Sequence, residues 1–389
     1  MAPKTKITSP KRVGRRLRVL ALSPYPDQAA STRFRIAQFI PMLRDHGVDC
    51  ELKPFITNKQ FGRLYRKQSL GRNALGIGVS AAARMFELIS ARQWDVVFIQ
   101  REAALVGPPL FERAIERVFG IPMVLDLDDP LWINYTSPIY GRLGSGIRCL
   151  NKTGELIRRA SHVVCGNDLI ARHVDEMGAH STVLPTIVDT NLFTPKSDAR
   201  RTNPPVIGWI GTHTTLPYLE AIRPALEKLA HKHSFKLRVI GGGSSLRSNS
   251  LNVEEVDWSL SREIEDFRSF DIGLYPLSDD EWSRCKSGFK AVQYLSCGVP
   301  FVGSPVGVVK DIADQSQAAL LCSTEDEWVA ALDKLLSNQS LRTEMGRAGR
   351  SFALRRYRFD DQVAQLSAIL IGAARQGSGE SLVPEALVS

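Results

Sequence analysis

The sequence predicts an α/β protein built from two doubly wound, Rossmann-like domains in tandem. Three observations carry that prediction. A chain of 389 residues is long for one ordinary domain and comfortable for two. Short runs rich in Val, Ile and Leu alternate with amphipathic stretches, and the alternation restarts about halfway along. Between the two series lies FTPKSDARRTNPP (Phe193–Pro205), rich in Pro, Ser, Asp, Arg and Asn and poor in apolar residues, as linkers are.

The first series offers strands at Leu17–Leu22, Asp95–Ile99, Met123–Leu127 and His162–Cys165. Near-continuous apolarity marks strands of a parallel sheet covered on both faces. Arg33–His46 and Pro109–Phe119 carry apolar residues at helical spacing between them. The second series places strands at Val206–Ile210, Leu237–Ile240, Ile272–Tyr275 and Pro300–Gly303, with helices around Pro217–His231, Ser261–Arg268 and Gly288–Leu295. A last amphipathic helix, roughly Asp360–Ala374, follows FALRRYRF. The expected division is a basic disordered tail over 1–16, a first domain over 17–200, a second over 204–358, a helix over 359–375 and a disordered tail over 376–389.

Composition fits a soluble globular chain, with 43% hydrophobic and 23% charged residues. The formal charge is +9, but residues 1–18 hold seven Lys or Arg and no acid, leaving +2 for the rest. Between Leu52 and Phe86 stand seven further basic residues (Lys53, Lys59, Arg63, Arg66, Lys67, Arg72, Arg84) and no acid. A one-sided basic surface concentrates anions such as phospholipid headgroups, lipid phosphates or nucleic acid; a solvated face is the plainer alternative. The six cysteines are scattered without a C-x-x-C pair, which disfavours a zinc site and suits a reducing cytosol. The tail lacks the apolar core of a secretory signal, and no run has the length of a transmembrane helix, so any membrane contact is expected to be peripheral.

Two segments of the second half carry chemistry. In GWIGTHTTLPYLEAI (Gly208–Ile222) a strand runs into Gly211, then the polar loop Thr212-His213-Thr214-Thr215, then Pro217 where a helix begins. Exposed N–H groups at such a helix start suit a diphosphate; an ordinary threonine N-cap fits equally well. In SRCKSGFKAVQYLSCGVPFVGSPVG (Ser283–Gly307), Lys286 and Lys290 flank Gly288 at the start of a helix. Lysine at a helix N-terminus is unfavourable by itself, so two of them there point to an anion held between them and the helix. In the first half, Asp126, Asp128 and Asp129 cluster where a buried strand ends, the edge at which α/β sheets place ligands. They read as acceptor-side carboxylates, or as an N-cap by Asp129 before Pro130. Glu102, after the neighbouring strand, is a second acceptor-side candidate from the same edge; Arg33 and Arg35, after the first strand, stand on the acceptor side to meet an acceptor or donor phosphate, or simply cap a basic face.

Through these segments the chain resembles glycosyltransferase family 4 and its relatives, the glycosyl transferases group 1. The second half carries the resemblance in GWIGTH, FDIGLYPL and the Ser283–Gly307 block, and the first half more loosely in SPYPDQAASTRFRIAQFIPMLRDHGV, DVVFIQRE and VLPTIVDTNLFTP. The resemblance implies the GT-B fold, with an acceptor domain first, a nucleotide-sugar domain second and a final helix crossing back. It implies retaining sugar transfer to a hydroxyl acceptor (glycan, lipid-linked or polysaccharide precursor), in the cytoplasm or at the inner membrane face. No metal and no cofactor are implied beyond a nucleotide-sugar co-substrate, UDP- or GDP-linked. The family's two glutamates fall on Cys285 and Gln293. On this reading Lys290, Lys286 and Asp128 are catalytic, Asp128 falling about where relatives carry an acceptor-facing histidine. Gly211, Thr212, His213, Thr214, Trp258, Gly288, Phe289 and Gln293 bind donor, with Trp258 stacking on the base or serving as an ordinary core or surface tryptophan.

Other classes fit less well. A nicotinamide-dependent oxidoreductase would need a G-x-G-x-x-G turn, yet the first strand leads into SPYPDQAAS. A sugar-nucleotide epimerase would leave the basic stretch unexplained. No nucleic-acid module is present. A binding-only homologue is the alternative to an enzyme, since the acidic pair is missing.

Overall fold

The computed structural model describes residues 15–64, 70–133, 149, 151–196, 203–242 and 250–377. Most of both expected tails, and linker positions 197–202, lie outside them. Two parallel sheets organise the described chain. The first contains β1 (Leu17–Ser23), β2 (Val48–Pro54), β3 (Val96–Gln100), β4 (Met123–Leu127), β5 (His162–Cys165) and β6 (Ser181–Val183) in the order β2-β1-β3-β4-β5-β6. The second contains β7 (Val206–Ile210), β8 (Lys236–Ile240), β9 (Val253–Val256), β10 (Ile272–Tyr275), β11 (Phe301–Gly303) and β12 (Ala319–Leu321) in the order β12-β11-β10-β7-β8-β9. β3, β4 and β7 are buried along their whole length, as their unalternating sequences VVFIQ, MVLDL and VIGWI require.

Both sheets are doubly wound. The chain reverses direction between β1 and β3 in the first and between β7 and β10 in the second. Ligands of open α/β sheets settle at such switch points, beyond the carboxyl ends of the strands. Contacts between residues following those ends, such as Arg33 after β1 with Glu263 after β9, bring the two ligand-binding edges face to face.

Two helices expected as continuous are broken. Arg33–His46 is a wide turn over Arg33–Ala37, a helix over Ile40–Leu43 and a tight turn over Arg44–His46, because Pro41 has no N–H to continue the ladder. Pro224 likewise splits the second domain's first helix into Leu216–Ala221 and Arg223–Ala230. The final helix runs over Phe359–Gly377, so Gln376 and Gly377 are helical rather than disordered. Its buried Val363, Leu366, Leu370 and Ala373 belong to the same core cluster as Val96 and Val124 of the first sheet, and Phe359 stacks on Phe39 at 5.2 Å. The join is closed from behind by arginines of the second domain. Arg350 donates to the carbonyls of Thr190 and Phe193, and Arg268 to those of Leu192 and Thr194.

Arg35 and Asp126 correct an expectation. Both were placed on the acceptor side, yet they form an ion pair with side chains 2% and 0% exposed. Arg35 also donates to the Leu184 carbonyl and the Thr186 hydroxyl, tying the segment after β1 to β4 and to the chain beyond β6. A buried pair closed on itself leaves nothing for a ligand. Its role is structural: burial pushes the Asp126 carboxyl above its ordinary range, and Arg35 counters that.

Removing one partner of such a pair costs about 3–5 kcal/mol, so Arg35→Leu is expected to lower the melting temperature markedly at neutral pH. In that variant the folded pKa of Asp126 lies above its unfolded value. The deficit is therefore full above the folded pKa and fades as pH falls towards the unfolded one. Thermal melts at neutral and acid pH check this; a variant as stable as wild type at neutral pH overturns it.

Candidate active site

The second domain's half of the site is built around its switch point. β7 ends in Trp209-Ile210 and turns at Gly211, where a Cβ would stand 2.4 Å from the Trp209 ring. Gly241, at the end of β8, has φ +75°, and a Cβ there would stand 2.4 Å from the Gly211 carbonyl oxygen. Only glycine at both positions lets these two loops close on each other. The Thr212–Thr215 turn satisfies itself: Thr215 Oγ1 accepts from the Thr212 N–H at 3.1 Å, and the Thr212 and Thr214 hydroxyls bond each other at 2.7 Å. Thr212 and His213 are exposed on its lip.

Opposite this turn the helix Phe289–Ser296 begins at Gly288, whose left-handed φ of +66° lets the chain swing into the first turn. No side chain caps this helix, and the N–H groups of Phe289 and Lys290 meet no acceptor among the described residues. Lys290 Nζ lies 5.1 Å from the centre of the Trp209 ring and 5.8 Å from that of Tyr275, so it hangs over β7 and β10 at the switch point. Lys286 Nζ lies 4.6 Å from the Tyr218 ring. Neither lysine is within 4.0 Å of a carboxylate among the described residues. Burial, and then the charge of Lys286, bring the Lys290 amine down to about 7.

The positions aligned with the family's glutamates behave differently from each other. Gln293 is 4% exposed, and its amide makes no hydrogen bond among the described residues. Cys285 packs with the first domain's core, and its carbonyl accepts from Asn167 Nδ2 at 2.6 Å. That backbone bond fixes the loop carrying Lys286 against the first domain.

The first domain's half centres on Arg101, a residue absent from the predicted set. It has φ +61°, a left-handed conformation rare outside glycine. Its guanidinium grips Asp128 through Nε–Oδ1 at 2.6 Å and Nη2–Oδ2 at 2.8 Å, and also contacts Asp129. Burial alone would raise the Asp128 pKa, but Arg101 outweighs it and holds the carboxyl below its ordinary range. Both oxygens of Asp128 accept from Arg101, so the carboxylate orients that guanidinium. Asp129 reaches across the cleft electrostatically, adding to burial in pushing the Tyr275 phenol up. The three acids therefore divide between two arginines, Asp126 with Arg35 and the other two with Arg101.

Glu102 and Arg33 are also corrected. Glu102 is buried and paired with Lys152 at 3.1 Å, the same ammonium that approaches the buried Glu112 at 3.8 Å. Arg33 bonds Glu263 at 2.8 Å and lies 5.7 Å from the Trp258 ring. Trp258 and Arg33 thus belong to a bridge between domains, and the expected stacking of Trp258 on a base would have to use its remaining, partly exposed surface. The signal sequence reading missed was the partner: Glu263 lies 230 residues from Arg33.

A separate cavity of about 820 Å³ opens behind the join, lined by Lys196, Asn203, Cys297, Arg342 and Arg350 among others. None of the residues assigned to the cleft lines it.

Comparison with known proteins follows this geometry. Residues 204–338 match the sequence model of the family Glycosyl transferases group 1, which spans β7 to β12 and both lysines. No curated protein matches the chain in sequence. Among solved structures, a glycosyltransferase from Rickettsia africae superposes with a TM-score of 0.65 at 13% identity, covering 94% of this chain and 100% of its own. Anabaena HepE in complex with UDP and glucose gives 0.60 at 15%, covering 92% and 99%. WaaG, a glycosyltransferase involved in lipopolysaccharide biosynthesis, gives 0.61 at 12%, covering 92% and 100%. The chain is thus a two-domain protein of the GT-B fold whose residues 204–338 match the model of the glycosyl transferases group 1.

Proposed function

We propose that the protein moves a hexosyl group from a nucleoside-diphosphate sugar to a hydroxyl acceptor, with retention and without a metal ion. The observation that carries this reading is the pair Lys286 and Lys290, with no described carboxylate within 4.0 Å and set at an uncapped helix start over the β7/β10 switch point. As the bond from the sugar's anomeric carbon to the diphosphate oxygen breaks, negative charge builds on the leaving group. Two cations and the N–H groups of Phe289 and Lys290 stabilise that charge more than the ground state. Gln293, buried with an unpartnered amide, suits a ribose hydroxyl. The UDP in the Anabaena relative favours a uridine nucleotide over a guanosine one.

On this reading Arg101, oriented by Asp128 and Asp129, faces the acceptor. The acceptor is a glycan, lipid-linked or polysaccharide precursor met at an anionic membrane face, which the acid-free stretch 52–86 supports. A second reading, a homologue that binds without catalysing, draws on Cys285, which offers no carboxylate and packs against the first domain.

Two measurements test the donor site. In metal-free titrations UDP is expected to bind wild type, and Lys290→Ala to lose about 1.5–3 kcal/mol of binding together with most turnover of a UDP-sugar. Binding indifferent to Lys290 overturns the assignment, and binding without turnover of any sugar favours the second reading. The pH dependence is specific as well. Lys290 titrates near 7 in the free protein, and a bound diphosphate raises its pKa. Affinity should be level below that pH and fall by up to about tenfold per unit above it, with protons taken up on binding. Lys290→Arg keeps its charge and should abolish that fall.

A further inference from the structure

The helix Leu70–Ile89 is turned inside out. Asn73, Ser80 and Arg84 are buried on its inner face, beside half-buried Ile77, Ala81 and Leu88. Arg84 donates to the Lys53 carbonyl and pairs with Glu87, and Gln60 bonds the Gly76 carbonyl and the Ser80 hydroxyl. The outer face shows solvent Leu75 (72% exposed), Val79, Met85, Phe86 (71%) and Ile89 (75%), spaced by Ala74, Gly78, Ala82 and Ala83. Arg72 is its one exposed charge. Ordinary surface helices bury the apolar stripe and expose the polar one, and a contiguous apolar face left to water marks an interaction site.

We infer that this face lies in an anionic lipid bilayer, parallel to its surface, and docks the first domain there. At 1.5 Å per residue the helix is about 30 Å long, and among the described residues no helix is long and apolar enough to cross a membrane. Charge complementarity selects the occupant. Arg72 on the face itself and exposed Lys59 on the neighbouring helix Asn58–Leu64 stand within a stretch from Leu52 to Phe86 that contains no acid. An apolar stripe flanked by cations partitions into the interface of anionic lipids. The inference rests on the reading of an enzyme working at an anionic membrane, and supplies the surface that would hold it there.

The test is flotation of the full chain with vesicles of phosphatidylglycerol and phosphatidylcholine in equal parts, beside phosphatidylcholine alone, at physiological salt. Wild type should float with the anionic vesicles. The triple variant Leu75→Ser, Phe86→Ser, Ile89→Ser should lose on the order of tenfold in partitioning per side chain, with its melting temperature and UDP titration unchanged. Lys59→Glu with Arg72→Glu should weaken binding to anionic vesicles only. If the triple variant floats like wild type, this face is not the anchor, although the membrane reading stands. If wild type floats with neither vesicle while still binding UDP, the anchor and the membrane reading both fall and the donor site survives. A wild-type dimer in sedimentation that the triple variant turns into monomer would assign the face to a second copy and overturn the proposal.

Discussion

Everything in the cleft depends on the aromatic seam that joins the two domains. Phe34, just after β1, packs on Phe289 at 4.6 Å and on Phe193 at 6.1 Å; Phe193 meets Phe267, which meets Phe270 and Tyr294. One apolar cluster therefore runs from the first sheet into the second without a break. Aromatic rings contribute both buried area and orientation-dependent contact, so the seam sets the distance between the sheets as well as holding them together. Phe289 is the first residue of the helix whose next residue is Lys290. The cation at the β7/β10 switch is thereby placed from the first domain's side as much as from its own.

Charge pairing separates the residues that build this scaffold from those free to meet a ligand. Arg33 has Glu263, Arg35 has Asp126, Arg101 has Asp128 and Asp129, and Lys152 has Glu102 and Glu112. Each is largely removed from water, where an unpaired charge is costly. Lys290 is the exception, held over two aromatic rings beside a second lysine and brought down to about 7 by its surroundings. A site that depresses its own cation is one in which an arriving anion recovers the lost interaction. The Asp128–Arg101 pair acts differently: it is already neutralised, and the left-handed backbone at Arg101 is the strain that aims it.

Sequence reading located the buried strands because parallel strands covered on both faces have no polar side to interrupt the apolar run. β2, VDCELKP, is an edge strand with only Val48 fully buried, and its mixed sequence carries no such signal. The short β6 and β12 offer three residues each. The prolines that split two helices were visible, but a tertiary contact had to decide whether each would kink or break its helix. In the site, the ends of strands were legible and the partners across space were not. Nothing adjacent in sequence marks Glu263 for Arg33, Lys152 for Glu102, or Leu184 and Thr186 for Arg35. Positions could therefore be read where chemistry follows topology, whereas roles required the pairing.

The helix Leu70–Ile89 shows the same limit from another direction. The acid-free run from Leu52 to Phe86 was evident in sequence as a basic stretch, but which face of the helix enters the core was not. What decides it is Arg84, buried with one contact to a backbone carbonyl and one to a carboxylate. Once the inner face is committed to that arginine, to Asn73 and to Ser80, Leu75, Val79, Phe86 and Ile89 have no core left to enter. Those four side chains stand in water, where substitution touches no packing. The exposed apolar stripe and the cleft-lining Arg101 with its acids therefore belong to one domain, built on the same sheet.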